Sequence, residues 1–280
     1  MKINIIGAGR LGQQLARALL DTNSAQSLTL CNRHINSARA AIKTLGAGHA
    51  VAALSALPFA DITFITTPDD TIAGIAAQLA ISPGHIVAHC SGVLSTDVLM
   101  PLAESGALVA SIHPLRAFRA HHVQEKAFQD CDCVIEGSPE AVLALTTLFT
   151  QMGAHVIPIT ASKKATYHAA AVMASNYLVT LAGCAITLFH EAGLSEAQAQ
   201  KMTEDLMQSS LTNIRDATHI NQALTGPLAR GDINTITVHL ESIQSESISA
   251  LYRAAALATL PLTNLEDSVL ETLKKRLKVE

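Results

Sequence analysis

Lys164 and His168 stand one helical turn apart in a stretch that reads as helix. Ser175 lies eleven residues beyond Lys164, and at about 100° per residue it returns to within roughly 20° of the lysine's direction. A cation, an imidazole and a hydroxyl on one stripe can protonate or polarise a carbonyl oxygen as negative charge develops there, as a hydride acceptor requires. An imidazole is the side-chain type suited to such proton transfer, whereas Lys164 needs its pKa lowered by desolvation or by neighbouring positive charge. The competing reading is a lysine snorkelling from a helix end beside a packed core histidine, and the residues alone leave both open. Asn176 points about 120° away from Lys164 and addresses a different neighbour.

Two further groups carry charge in shaped loops. In Leu224-Thr225-Gly226-Pro227-Leu228-Ala229-Arg230-Gly231-Asp232, Arg230 can hold a substrate carboxylate with both arms of its guanidinium. Asp232 either orients Lys164 or His168 or caps a helix beginning at Ile233, the second being the more ordinary role. His113-Pro114 follows an apolar run, with Arg116 and Arg119 close by as candidate anion binders. His89, His113 and His168 lack the spacing of a zinc motif, and no metal site is expected.

The N-terminal stretch supplies the cofactor chemistry. Residues 1–6 read as an apolar strand, Gly7-Ala8-Gly9-Arg10-Leu11-Gly12 follows, residues 11–20 read as a helix and residues 27–31 as a second strand. In such a strand, turn and helix Gly7 permits the tight turn, Gly9 lets a pyrophosphate approach the backbone, and Gly12 lets the helix pack closely on the strand. The second strand ends in Asn32-Arg33 with no carboxylate for an adenine ribose. Asn32 can bond a ribose oxygen and Arg33 suits a phosphate monoester, so NADP is expected rather than NAD; the plainer reading of Arg33 is a solvated strand end. Thr67-Pro68-Asp69-Asp70 and Ser91-Gly92 end later strands and belong at the same carboxyl edge.

These loops need a scaffold, and the alternation of patterns provides one. Strands are expected at 61–66, 86–90, 108–112, 133–135 and 155–159, with helices at 38–45, 69–79 and 139–152. This is an α/β chain with a mostly parallel sheet, expected to occupy residues 1–160. Residues 161–280 read as all helical, over 163–190, 195–219, 233–243, 247–260 and 265–277, with Ser195 and Gln198 at capping-box spacing.

Composition narrows the function. The 280 residues carry a formal charge of -4 with no long basic run, which gives no reason to expect nucleic acid. Hydrophobic residues make up 49% and charged ones 15%, so much helix surface is expected to be buried between domains or subunits. Residues 165–190 are free of Asp, Glu, Lys and Arg and long enough to span a bilayer. They contain His168, Ser175, Asn176 and His190, however, and a central helix of an oligomer is expected in preference to a membrane span. Five scattered cysteines and an N-terminal strand in place of a signal peptide point to a cytoplasmic protein with reduced thiols.

The phrases Gly7-Ala8-Gly9-Arg10-Leu11-Gly12, Thr67-Pro68-Asp69-Asp70, His89-Cys90-Ser91-Gly92, Ser111-Ile112-His113-Pro114-Leu115 and Tyr167-His168-Ala169-Ala170-Ala171 resemble the family that joins a Rossmann-like domain to the domain of unknown function DUF2520. Ser175-Asn176-Tyr177, Leu224-Thr225-Gly226-Pro227 and Arg230-Gly231-Asp232 continue the pattern. That family is similar in layout to pyrroline-5-carboxylate reductases, ketopantoate reductases, prephenate dehydrogenases and beta-hydroxyacid dehydrogenases. The resemblance implies a nicotinamide cofactor, a helical domain that dimerises and a small carboxylate-bearing substrate. Lys164 matches the catalytic lysine of the beta-hydroxyacid dehydrogenases by position, with His168 where that family has asparagine. The expected function is an NADP-dependent oxidoreductase acting on a small 2-oxo or imino carboxylate, with ketopantoate the leading candidate. Lys164 and His168 are its expected catalytic pair, and Ser175, Asn176, Arg230, Arg116 and His113 its substrate ligands. The rival expectation is a dinucleotide-binding sensor or scaffold without catalysis.

Overall fold

A computed structural model describes residues 1–118 and 123–278 of the chain, which leaves Arg119 outside the described residues. The chain divides into two compact units, Met1–Ser175 and Asn176–Glu280.

The first unit is built on one sheet. Strands β1 (Lys2–Ile6), β2 (Ser27–Cys31), β3 (His49–Val51), β4 (Ile62–Ile65), β5 (Ile86–His89), β6 (Leu108–Pro114), β7 (Asp132–Gly137) and β8 (His155–Pro158) lie in the order β3-β2-β1-β4-β5-β6-β7-β8. Helices α1 (Arg10–Asp21), α2 (Ile35–Leu45), α3 (Asp69–Ala76), α4 (Met100–Glu104), α5 (Pro139–Gln151) and α6 (Lys164–Ala174) accompany it. Central strands such as KINII and ITFI are buried at nearly every position because both faces of the sheet are covered. Side chains alternate between the two cores. Ile3, Ile5, Leu28, Leu30 and Phe64 join Leu15, Leu19 and Phe149 in one cluster, while Ile6, Cys31, Ile65 and Val87 join Ile72, Leu99 and Leu102 in the other.

Pairing is parallel throughout except between β6 and β7, where Ser111 faces Glu136 and Ile112 faces Ile135 in antiparallel register. The expected mostly parallel α/β sheet is therefore present, with one reversal. β3 was not expected: three residues are too few to show a period-2 pattern, and only its pairing with β2 defines it. The strand order reverses between β1 and β4, whose ends Ile6 and Ile65 are in register. Ligands bind at such a switch point, beyond the carboxyl ends of the strands.

The helix expected over 163–190 is two helices, α6 ending at Ala174 and α7 (Asn176–Glu191), with Ser175 between them at φ −119°, ψ −68°. The sequence places the domain division near residue 160; the compact units divide fifteen residues later, because α6 is tied to the sheet through Lys164.

The second unit is all helical, adding α8 (Glu196–Asp216), α9 (Pro227–Arg230), α10 (Ile233–Ser242), α11 (Glu246–Thr259) and α12 (Asp267–Leu277). Ser195 and Gln198 form the expected capping box at the start of α8. Ile236, Leu240, Ala256, Leu260, Leu273 and Leu277 make its core. By contrast, α7 and α8 expose large apolar side chains, Val179 at 72% and Leu206 at 60% among them.

Candidate functional site

The glycine turn is stapled to β4. Thr66 donates its hydroxyl to the Gly7 carbonyl at 2.7 Å, and the Gly7 N–H reaches the Cys31 carbonyl at 2.8 Å. Gly7 has φ +106°, a backbone state that favours glycine. A Cβ on Gly12 would collide with the Gly7 carbonyl and come within 2.7 Å of Thr66 Oγ1, so glycine is what lets α1 lie against the turn. A Cβ on Gly9 would meet nothing within 4 Å, which leaves the face of its backbone open.

That face opens on a cleft of about 790 Å³ whose walls include Gly7, Ala8, Gly9, Asn32, Arg33, Thr67 and Pro68, all expected cofactor contacts. Ser37, Asp70, Thr71 and Gln78 also line it and were not expected. Ser37 could have been found, since it falls in the first turn of a helix that begins just after Arg33. Arg10, Leu11 and Gly12 lie in the first turn of α1 and are not among the lining residues.

Asp69, Ser91 and Gly92 also lie outside that lining, and two of them form a turn of their own. The Ser91 hydroxyl donates to Asp69 Oδ2 at 2.8 Å and accepts the Val93 and Leu94 N–H groups at 3.2 and 3.0 Å. Its oxygen is thus engaged in shaping the loop after β5. His89 secures the same loop from within: its Nε2–H donates to the Ser95 carbonyl at 3.1 Å and its Nδ1 accepts the Ser91 N–H at 3.2 Å. Burial lowers the His89 pKa to about 4, since a proton on Nδ1 would confront the Ser91 N–H in a desolvated place.

Lys164 projects from the first turn of α6 into this assembly with 1% of its surface exposed. Its ammonium donates to the Ser91 carbonyl at 3.1 Å and to the Ser111 hydroxyl. Burial lowers its pKa, opposed by the negative charge of Glu136 and Asp69. Lys164 therefore does not snorkel. Desolvation moves it in the direction that proton donation needs.

One turn on, His168 packs its ring on Gly92, where a Cβ would run into Nδ1 and lie 2.9 Å from Cε1. His113, at the end of β6, meets the His168 ring edge to face at 5.7 Å and receives Tyr167 Oη at 2.9 Å from Nδ1. Burial, then the charges of His168 and Lys164, take the His113 pKa down to about 4. The structure thereby brings Lys164, His168 and His113 together. Ser111 and Tyr167 were missed, although Ser111 and His113 are two apart on a strand and so share a face.

The remaining expected ligands are placed differently. Arg116 donates to the Ala127 carbonyl at 2.6 Å and the Gln129 carbonyl at 3.0 Å. It clamps the segment leading into β7, and its guanidinium is engaged with the chain's own backbone. Ser175 and Asn176 are exposed where α6 ends and α7 begins, and Ser175 leaves the Lys164 stripe because the helix breaks there. In the second unit Arg230 is exposed at the end of α9. Asp232 caps α10, accepting the Thr235 N–H at 3.0 Å and its hydroxyl at 2.6 Å. Among the described residues no group of three His, Cys, Asp or Glu side chains is arranged to hold a metal.

No curated protein sequence matches the chain. Its fold is shared with a Bacteroides fragilis protein provisionally described as an NADP oxidoreductase, at 20% identity over 93% of this chain and 98% of that one, TM-score 0.75. A Thermotoga maritima protein is 26% identical over 96% of this chain and 98% of its own, TM-score 0.69. The NADP-bound pyrroline carboxylate reductase of Plasmodium falciparum is 13% identical over 99% and 98%, TM-score 0.61. Residues 1–114 match the Rossmann-like domain and residues 131–259 match DUF2520, a domain of unknown function. The chain thus joins a Rossmann-like domain to a DUF2520 domain, in the layout its sequence motifs announced.

Proposed function

We propose that the protein is an NADP-dependent oxidoreductase acting on a small 2-oxo or imino carboxylate. The observation that carries this is the buried Lys164 beside His113 and His168, in the same unit as a glycine-lined cleft whose walls include Arg33. The residues fit the cofactor. Gly9 leaves room for a pyrophosphate, while Arg33 with Ser37 offers a cation and a hydroxyl to a ribose phosphate. When bound, the nicotinamide supplies the hydride.

The chain's own residues do the rest. Lys164 holds the Ser91 loop and presents a desolvated positive charge to the developing oxyanion; His168 and His113 supply hydrogen bonds to it. Fold relatives include proteins identified as pyrroline-5-carboxylate reductases, an arogenate dehydrogenase and a prephenate dehydrogenase, which supports a small carboxylate as substrate class. Ketopantoate is the first substrate to test. The proposal includes a homodimer formed through the exposed faces of α7 and α8 in a cytoplasmic protein.

Calorimetric titration tests the reading. NADPH is expected to bind more tightly than NADH, and Arg33→Ala to remove most of that difference, on the order of tenfold to a hundredfold, since hydrogen bonds to charged groups contribute about 1.5–3 kcal/mol. Ketopantoate, if it is the substrate, strengthens NADPH binding. Failure of both cofactors to bind would overturn the assignment.

A further inference from the structure

Within the described residues, His168 Nδ1 is the buried side-chain nitrogen or oxygen without a hydrogen-bond partner. What covers it is Gly92. A Cβ built there would fall against Nδ1, so the hydrogen that takes the Cβ's direction on glycine points at that nitrogen. A C–H directed at a ring nitrogen is accommodated by a lone pair and obstructed by a second hydrogen. A buried N–H without an acceptor is also among the rarest of unsatisfied groups. Nδ1 is therefore the bare nitrogen, and the His168 proton sits on Nε2.

His113 reaches the same state by another route. Its Nδ1 lies 2.9 Å from Tyr167 Oη, and this is the hydroxyl's hydrogen bond. Burial pushes the Tyr167 pKa up to about 12, so the phenol keeps its proton near neutrality. An imidazole lone pair is a better acceptor than a phenol oxygen, so the phenol donates and the His113 proton is displaced to Nε2. Neither Nε2 is hydrogen-bonded to another described residue. The rings stand edge to face at 5.7 Å and 77°.

We propose that Tyr167 and Gly92 are positioning residues that hold His113 and His168 as neutral imidazoles protonated on Nε2, so that the pair offers two N–H donors to the substrate oxygen. This deepens the oxidoreductase reading and rests on it for the identity of that oxygen. Two neutral donors suit an oxygen that gains charge during reaction, because they are in place beforehand and need no proton loss to act. Tyr167 acts through His113, and Gly92 acts by closing one nitrogen of His168.

Long-range proton–nitrogen correlation spectra of the labelled full chain near pH 7.5 test this without substrate or cofactor. The two rings are identified by the signals missing from His113→Gln and His168→Gln. Both rings are expected as the Nε2–H form, His113 Nδ1 with the shift of a hydrogen-bonded acceptor and His168 Nδ1 with that of a bare one. Tyr167→Phe should move His113 Nδ1 to the bare position and leave His168 in the Nε2–H form. A proton on Nδ1 of either ring in the wild type overturns the proposal, as does an unmoved His113 Nδ1 in Tyr167→Phe. Should that variant not fold, the wild-type spectrum decides alone. Failure of the enzyme reading would show instead as absent NADPH binding with these tautomers intact.

Discussion

A glycine is the least conspicuous member of the cluster around Lys164, yet Gly92 decides whether that cluster can assemble. Its missing Cβ is the space in which the His168 ring lies, and the same Cβ would stand 3.1 Å from His113 Cε1. Gly92→Ala must displace a ring held between two elements, and overpacking of this kind costs about 1–3 kcal/mol. Urea denaturation is expected to show that loss in the otherwise wild-type chain and a smaller one in His168→Ala, where the obstructing ring is gone. An equal loss in both backgrounds would mean that Gly92 is required by its own backbone and not by the histidine. At this scale the sequence exposes residue types but not their long-range neighbours. Lys164 and His168 were legible as a pair because they are one turn apart. Their relation to Gly92, 76 residues before His168, is created by β5 and α6 meeting, which no local pattern encodes.

Elements turn such residues into a device, and the end of β5 is the clearest case. His89 is fully buried, with Nε2 donating to the Ser95 carbonyl and Nδ1 accepting the Ser91 N–H, so one neutral tautomer fits and the charged form does not. The folded pKa of about 4 lies below the 6.5 of an unconstrained histidine. The unfolded chain therefore binds the proton first. Stability from keeping His89 neutral is fully present above about pH 6.5 and is lost as pH falls from there towards 4, an effect on the order of 3 kcal/mol. His113, also brought down to about 4, acts in the same window with less weight because it is partly exposed. The urea midpoint should fall between pH 7 and pH 5, and fall less in His89→Gln; an identical fall would remove His89 as a cause. Strands and helices were legible wherever apolar runs and glycine or proline stops coincided, as at 1–6 before Gly7 and at 61–66 before Pro68. β3 was too short to read, and the reversed direction of β7 is a matter of topology: its residues look the same run either way. Arg116 shows the matching difficulty for charge, since a sequence displays a guanidinium but not the Ala127 and Gln129 carbonyls that occupy it.

At the scale of the whole molecule, the apolar composition must be reconciled with helices whose faces lie bare. The stretch 161–191 is long and apolar enough to cross a membrane, and none of its most apolar window is buried within the chain. Its polar residues argue against lipid: Lys164 is bonded into the sheet unit, and His190 is paired with Glu196 at 2.7 Å. Beyond it, α8 bears Met202, Leu206, Leu211 and Ile214, each at least 40% exposed, so the apolar surface continues onto a helix rich in charge that is unsuited to a bilayer. The occupant proposed for these apolar faces bordered by charge is a second copy of the same chain. Large side chains of this kind contribute about 1.5–3 kcal/mol each when buried, so a few of them per protomer suffice for a stable dimer. Sedimentation equilibrium should give twice the mass of one chain, and Val179→Glu with Leu206→Glu should give a monomer. NADPH binding is expected to survive in that monomer, because every residue lining the glycine cleft belongs to Met1–Ser175 while both substitutions lie outside it. A wild-type monomer would sink the dimer, and loss of NADPH binding on dissociation would show that the cleft needs the partner copy to hold its ligand.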